Sequence, residues 1–291
     1  MKITLKAAAK LNLTLDVTAK RHDGYHELRS IMQSVGLFEE VTLEENNSGA
    51  ITISCDKAGV PCDESNIAVK CADAYFKAAK SECRGLHIDI HKNIPMQAGL
   101  AGGSADGAAV LFGLNAMHKA FTPEQLRTIG ASVGADIPFC LLGGTALAEG
   151  IGEKLTVLED IPDCAFVIVK PQIGISTAQA YKAVDSHGMN MNPSTDIMLK
   201  SMTSPADIAA KLHNDFEAAL SLDEVRSACS HLLKQNGCLG AQMTGSGSAV
   251  FGIFDDEDKA RAAKSSLKTI YPFAMAVKPC DSGIEIINAS E

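Results

Sequence analysis

Glycine spacing supplies the first candidate chemistry. The stretch Pro95-Met96-Gln97-Ala98-Gly99-Leu100-Ala101-Gly102-Gly103-Ser104-Ala105-Asp106-Gly107-Ala108-Ala109 places glycines at 99, 102 and 103 directly before a helical pattern. Glycine lets the backbone take up unusual dihedrals and approach a ligand closely. The first turn of a helix adds free N–H groups and the positive end of the macrodipole. Together these make an anion site suited to a di- or triphosphate. Ser104 is placed to cap the helix or to meet a phosphate or Mg²⁺. The spacing is neither G-x-x-x-x-G-K-[ST] nor G-x-G-x-x-G, so neither of those phosphate motifs applies. Taken alone, the cluster is equally compatible with a glycine-rich helix entry that holds no ligand.

Other residues offer acid–base and recognition chemistry. Asp136 is the one carboxylate in Gly134-Ala135-Asp136-Ile137-Pro138-Phe139, where it is either a turn-former or helix N-cap, or a general base. Lys10, behind Ala7-Ala8-Ala9 and beside Asn12, is either a solvated strand lysine or one aimed into a cleft. Met243-Thr244-Gly245-Ser246-Gly247-Ser248 is a hairpin turn or a second backbone cradle under the phosphate loop. Arg21-His22-Asp23-Gly24-Tyr25-His26 is a turn bearing rings, and composition alone does not decide whether they pack on the scaffold or on a ligand.

The elements that must position these residues mix strands and helices without a regular βαβ order, so the fold class is α+β. Lys10 to Val17 alternates polar and apolar residues and predicts one strand, with Lys10, Asn12, Thr14 and Asp16 on a shared face. Strands are also predicted at Val41–Glu44, Ile51–Cys55, Leu86–His91, Gly143–Glu149 and Ala165–Lys170. Helices are predicted at Asn66–Lys80, from about Ser104 to His118, and from Pro123 to about Ser132 with Thr122 as N-cap. Beyond Pro171 come helices at Ser176–Val184 and Asp223–Gln235, strands at Leu239–Met243 and Ala249–Phe254, a helix at Glu257–Leu267 and a strand at Phe273–Lys278. The polar stretch Asp185–Thr195 reads as a linker or surface loop, and a domain boundary falls near residues 160–172.

Bulk composition narrows the class of function. The 291 residues exceed a single core of typical size, so one large or two intimate domains are expected. Hydrophobic residues at 46% and charged residues at 21% exclude a largely disordered chain. A formal net charge of -9 argues against a broad basic face, so neither nucleic acid nor a membrane is expected as a partner. Nine cysteines without a C-x-x-C pair, and a start that lacks an apolar stretch, suggest free thiols in the cytoplasm. His87 and His91 share a strand face about 13 Å apart, too far for one metal, and zinc is not expected.

Read in order, Ala9-Lys10-Leu11-Asn12, Pro95 to Ala105 and Met243 to Ser248 resemble the three motifs of the GHMP kinase superfamily. Three further stretches are similar to those members that act on a cytidine-diphosphate-linked alcohol. They are Lys10-Leu11-Asn12-Leu13 followed by Arg21-x-Asp23-Gly24-Tyr25-His26-x-Leu28, then Gly134 to Phe139, then Ala148-Glu149-Gly150-Ile151-Gly152-Glu153. The resemblance implies a ribosomal-protein-S5-like N-terminal domain over residues 1–165, a ferredoxin-like C-terminal domain over 166–291, and a site between them. It implies ATP-dependent phosphorylation, with Mg²⁺, of a small cytidine-diphosphate-linked alcohol in isoprenoid precursor synthesis, by a cytoplasmic monomer or homodimer.

Residue roles follow from the same resemblance. Asp136 takes the proton from the substrate hydroxyl, Lys10 holds Asp136 and the transferring phosphoryl group, and Asn12 orients the acceptor. Pro95, Gly99, Leu100, Ala101, Gly102, Gly103, Ser104 and Ala105 hold the phosphates, with Asn66 on the adenine side and Ser104 as the Mg²⁺ ligand. Gly245, Ser246 and Gly247 support that loop. Tyr25 and Tyr181 sandwich the cytosine, His26 reads its polar edge, and Thr177 lies near the substrate. Two departures stand out. Ala101 occupies a position where many members have Gly, and asks for negative φ there. Ala105 removes a hydroxyl that many members have. Asp106 is expected to face away from the loop, where it would repel phosphate. Kinases of homoserine, mevalonate or sugars are the alternative, but their substrates have no base for Tyr25 and His26 to meet. A silent nucleotide-binding regulator is a further alternative, disfavoured by the retention of both Lys10 and Asp136.

Overall fold

The computed structural model describes residues 1–188 and 194–290. The first half runs β1 (Lys2–Asn12), β2 (Thr14–Lys20), β3 (His26–Glu45), β4 (Ile51–Cys55), α1 (Ile67–Ala79), β5 (Leu86–His91), α2 (Gly102–His118), α3 (Pro123–Ala131), α4 (Ile137–Leu142), β6 (Thr145–Glu149) and β7 (Lys154–Val157). The second half runs β8 (Ala165–Lys170), α5 (Thr177–His187), α6 (Ser194–Leu199), α7 (Pro205–Ala209), β9 (His213–Asn214), α8 (Asp215–Leu220), α9 (Asp223–Leu233), β10 (Cys238–Met243), β11 (Val250–Phe254), α10 (Glu257–Leu267), β12 (Phe273–Val277) and β13 (Ile284–Ser290). No helix among the described residues is long and apolar enough to cross a membrane.

Two sheets organise these elements. The larger has nine strands built around the 20-residue β3, which pairs with β1, β2, β5 and β6 along its length. The smaller is antiparallel in the order β10-β11-β8-β12, the ferredoxin-like arrangement expected for the C-terminal half. Its strand Phe166-Val167-Ile168-Val169 is apolar at every position because both faces are covered. Val167 and Val169 pack with Val225 and Leu232 of α9 and Ala263 and Leu267 of α10, while Phe166 and Ile168 join the core of the larger sheet. The last strand does not stay with its half. β13 crosses back to pair with β1, so a cut at residue 165 does not separate the two sheets cleanly.

Local chemistry explains the boundaries. Thr122 and Gln125 form a reciprocal capping box with Pro123 at the start of α3, and Ser176 and Gln179 do the same for α5. The strand expected over Lys10–Val17 is interrupted at Leu13. There the Thr14 hydroxyl accepts the Ile31 N–H (3.0 Å) and Leu13 donates to the Ile31 carbonyl (2.8 Å), which turns β1 into β2. The expected strand Val41–Glu44 is only the end of β3. The middle of β3 is buried and holds Gln33, whose side-chain Oε1 accepts from Thr145 Oγ1 (2.6 Å), so no alternation marks it. Of the stretch Gly134–Phe139, expected to be turn-like, residues 137–139 open the helix α4. Of the loop expected over Asp185–Thr195, residues 185–187 end α5, Ser194 and Thr195 open α6, and 189–193 lie outside the described residues.

Helix α2, which carries the phosphate motif, crosses β1 and β3 at Gly113. A Cβ built there would lie 2.5 Å from Leu43 Cδ1 and 3.0 Å from Leu5 Cδ1. Gly113→Ala is therefore expected to lower stability by about 1–2 kcal/mol, overpacking outweighing the gain in helix propensity. Urea denaturation measures this, and a variant at least as stable as the parent would show that the helix does not depend on this close approach.

Candidate active site

Backbone interlocking builds the site. Gly99 has φ 73°, and a Cβ on it would sit 2.1 Å from the Thr244 carbonyl, so two glycine turns touch backbone to backbone. Lys10 N–H donates to the Leu100 carbonyl (3.2 Å), and Ala249 N–H to the Ala98 carbonyl (3.1 Å). Thr244 Oγ1 accepts the Asn12 N–H (3.0 Å), which joins the end of β1 to the turn between β10 and β11. Met243 to Ser248 is thus both the hairpin turn and the support that the sequence left as alternatives. Asn214, buried at the start of α8, holds this turn by donating Nδ2–H to the Met243 (2.8 Å) and Gly245 (2.9 Å) carbonyls.

Helix α2 begins at Gly102, earlier than expected, so Ser104 lies within its first turn and does not cap it. The first helical bond is Ala105 N–H to the Ala101 carbonyl (2.8 Å), which leaves the amides of Gly102, Gly103 and Ser104 ahead of it. Ala101 adopts φ 61°, not the negative φ expected of it, because the chain must reverse into the helix there. Pro95, Gly99, Leu100, Ala101, Gly102, Gly103 and Ser104 line a cavity of about 620 Å³ together with Lys10, Asn12, Asn66, Asp136, Thr177, Tyr181, Gly245, Ser246 and Gly247. Ala105 is turned into the core.

Within this cavity Lys10 Nζ is buried, donates to Asn12 Oδ1 (2.5 Å) and stands 4.0 Å from Asp136 Oδ2. The Asp136 carboxylate makes no cap bond to α4 although it precedes that helix, and its side chain is 35% exposed to the cavity. The N-cap reading therefore fails. Asn12, expected to orient an acceptor, is engaged at both ends of its amide, by Lys10 and by Ser30 Oγ (2.7 Å). Asn66 caps α1 through Ala68 N–H (2.8 Å) and donates to the Pro61 carbonyl (2.7 Å). Thr177 Oγ1 and Ser246 Oγ lie 3.3 Å apart.

Sequence reasoning missed a buried triad beneath the loop. Lys92 bridges Glu39 and Asp106, with Nζ 2.8 Å from Asp106 Oδ2, and Glu39 Oε2 accepts the N–H groups of Asn93 (2.7 Å) and Ile94 (3.2 Å). Asp106 was expected to face away but lines the cavity, and Lys92 offsets its charge. Burial pushes its carboxyl up to about 7 against the pull of Lys92, and Oδ1 has no hydrogen-bond partner. The polar Lys92-Asn93 pair ahead of the Ile94-Pro95 loop entry was the available signal.

The ring cluster is only partly assembled. His26 lies parallel to Tyr181, with centroids 4.6 Å apart and planes 16° apart, and Phe216 meets Tyr181 edge-on. At an ordinary stacking distance of about 3.5 Å that separation implies a sideways offset of about 3 Å, so part of the Tyr181 face stays clear. Burial raises the Tyr181 hydroxyl to about 12. Tyr25 is 59% exposed at the turn tip, outside the cavity lining.

Comparison with known proteins agrees with this geometry. The GHMP kinases N terminal domain matches residues 66–144 and the GHMP kinases C terminal domain residues 194–272. The chain is 41% identical over 274 residues to the 4-diphosphocytidyl-2-C-methyl-D-erythritol kinase of Alkaliphilus metalliredigens, covering 92% of this chain and 94% of that protein. It is 44% identical over 270 residues to that of Acetivibrio thermocellus, covering 91% and 95%. The chain belongs to the 4-diphosphocytidyl-2-C-methyl-D-erythritol kinase family of GHMP kinases. A crystal structure of 4-(cytidine 5'-diphospho)-2C-methyl-D-erythritol kinase superposes with a TM-score of 0.79 at 31% identity, covering 96% of this chain and 99% of that one. As a GHMP kinase the chain is an ATP-dependent phosphotransferase, and the α+β reading and the motif resemblance hold.

In this kinase, Asn214→Asp keeps the cap on α8 but turns an oxygen toward the two turn carbonyls. The expected result is a loss of about 1–3 kcal/mol in stability and a rise of roughly tenfold in the Kd for an ATP analogue. Denaturation and calorimetric titration read the two effects, and an unchanged Kd would show that the turn does not depend on Asn214.

Proposed function

We propose that this kinase transfers the γ-phosphoryl group of ATP to the 2-hydroxyl of 4-diphosphocytidyl-2-C-methyl-D-erythritol, in the non-mevalonate route to isoprenoid precursors. The observation that carries the chemistry is the Lys10 Nζ to Asp136 Oδ2 separation of 4.0 Å in the cavity that the first turn of α2 opens onto. Asp136 accepts the hydroxyl proton as the substrate oxygen bonds to the γ-phosphorus, and the bond from that phosphorus to the β-bridging oxygen breaks to release ADP. Lys10 stabilises negative charge moving across the transferring group. Asn12 acts through Lys10, holding its ammonium in place. The amides of Gly102, Gly103 and Ser104 receive the phosphates, Asn66 borders the adenine side, and Thr177 and Ser246 border the acceptor.

Ser104 and Asp106 are oxygen-bearing residues of the cavity lining, and their hard donors fit Mg²⁺, which would neutralise charge on the phosphates. A base lying in the plane of His26 would cover the clear part of Tyr181, and Tyr25 would close over it from the turn. Nine scattered cysteines support a reducing, cytoplasmic setting.

Asp136→Asn and Lys10→Met are each expected to lower kcat by roughly 10²–10⁴-fold with little change in melting temperature. Steady-state phosphorylation of the cytidylyl substrate measures this. Near-parental turnover in either variant would remove that residue from the mechanism.

A further inference from the structure

We propose that Asp185 sets the base preference of this kinase by fixing which ring nitrogen of His26 carries the proton. The inference rests on the reading that His26 meets the edge of a pyrimidine. His26 is the first residue of β3 and Asp185 lies near the end of α5, so the contact is formed only by the fold. His26 Nε2 lies 2.7 Å from Asp185 Oδ1, and Lys20 Nζ donates to Asp185 Oδ2 at 2.5 Å. An ionised carboxylate can only accept, so Nε2 is the protonated nitrogen and donates to Asp185.

Nδ1 is then the ring's remaining polar atom. It carries a lone pair, and no hydrogen bond reaches it among the described residues. The ring is buried and held parallel to Tyr181, which orients that lone pair within the layer a stacked base would share. Cytosine offers an exocyclic amino group to such an acceptor. Uracil offers a carbonyl oxygen at the same position, and two lone pairs then face each other. Asp185 is not among the residues lining the cavity, so its role is to position.

Two substitutions test this in the full-length protein. Asp185→Ala removes the acceptor. In Asp185→Asn the Lys20 ammonium holds the amide oxygen, which turns the NH₂ toward Nε2 and moves the proton to Nδ1. Nitrogen-15 NMR of the His26 ring should show Nε2–H in the parent, loss of that single form in D185A and Nδ1–H in D185N. The preference for a CDP-linked over a UDP-linked polyol, as a ratio of kcat/KM, should fall roughly 10- to 100-fold in D185A and further in D185N. The KM for ATP should stay within about twofold, since α2 is untouched. Retention of both the Nε2–H form and the preference in the two variants would overturn the proposal, as would a doubly protonated ring in the parent. His26→Ala separates the levels. If it leaves the preference intact, the base-reading role of His26 fails and this inference falls with it. If it abolishes the preference while D185A and D185N do not change it, only the role of Asp185 is lost.

Discussion

The contact between two glycine turns, one before α2 and one between β10 and β11, is the constraint on which the rest of the site depends. Gly99 and Gly245 are close enough that a Cβ on either would strike the backbone of the other turn. Only main chain can fill that space, and both glycines adopt positive φ. Each turn belongs to a different sheet, so their contact fixes the larger sheet against the smaller one at the mouth of the cavity. Thr244 adds the third member by taking the Asn12 amide, so the end of β1 is tied to both.

Lys10 owes its position to this tie. It sits third from the end of β1, where its N–H is used by Leu100 and its ammonium by Asn12. A buried ammonium is costly unless it is paired. Here Asn12 supplies one partner and Asp136 a second charge at 4.0 Å, while the cavity leaves Asp136 open to a substrate. The same economy recurs beneath the loop, where Lys92 stands between Glu39 and Asp106 and leaves Asp106 Oδ1 unsatisfied.

Much of the architecture was legible because periodicity and caps are local. Leu86–His91, Ala165–Lys170 and Glu257–Leu267 appear as read, and Thr122 caps α3 as its sequence demands. Long β3 was not legible, since polar residues on a buried strand erase the alternation that marks a half-exposed one. The break at Leu13 depends on a hydroxyl of Thr14 reaching across to Ile31, which no window of sequence contains. In the site, the loop glycines, Lys10 and Asp136 could be named from motif resemblance, and the structure brings them to one cavity. Lys92, Asn214 and Asp185 could not, because each acts on a residue distant in sequence. Ala101 was misjudged because the demand for a left-handed residue comes from the reversal into α2 and not from the residue itself.

The first turn of α2, held by the interlocked turns, is where the proposed phosphate cradle lies. Amide NMR of the deuterated, nitrogen-15-labelled protein during titration with an ATP analogue tests it most directly. The amides of Gly102, Gly103 and Ser104 should show the largest shifts and the strongest protection from exchange, with Gly245 and Gly247 responding in concert because their turn rests on Gly99. Saturable binding that leaves those three amides unmoved would contradict the account.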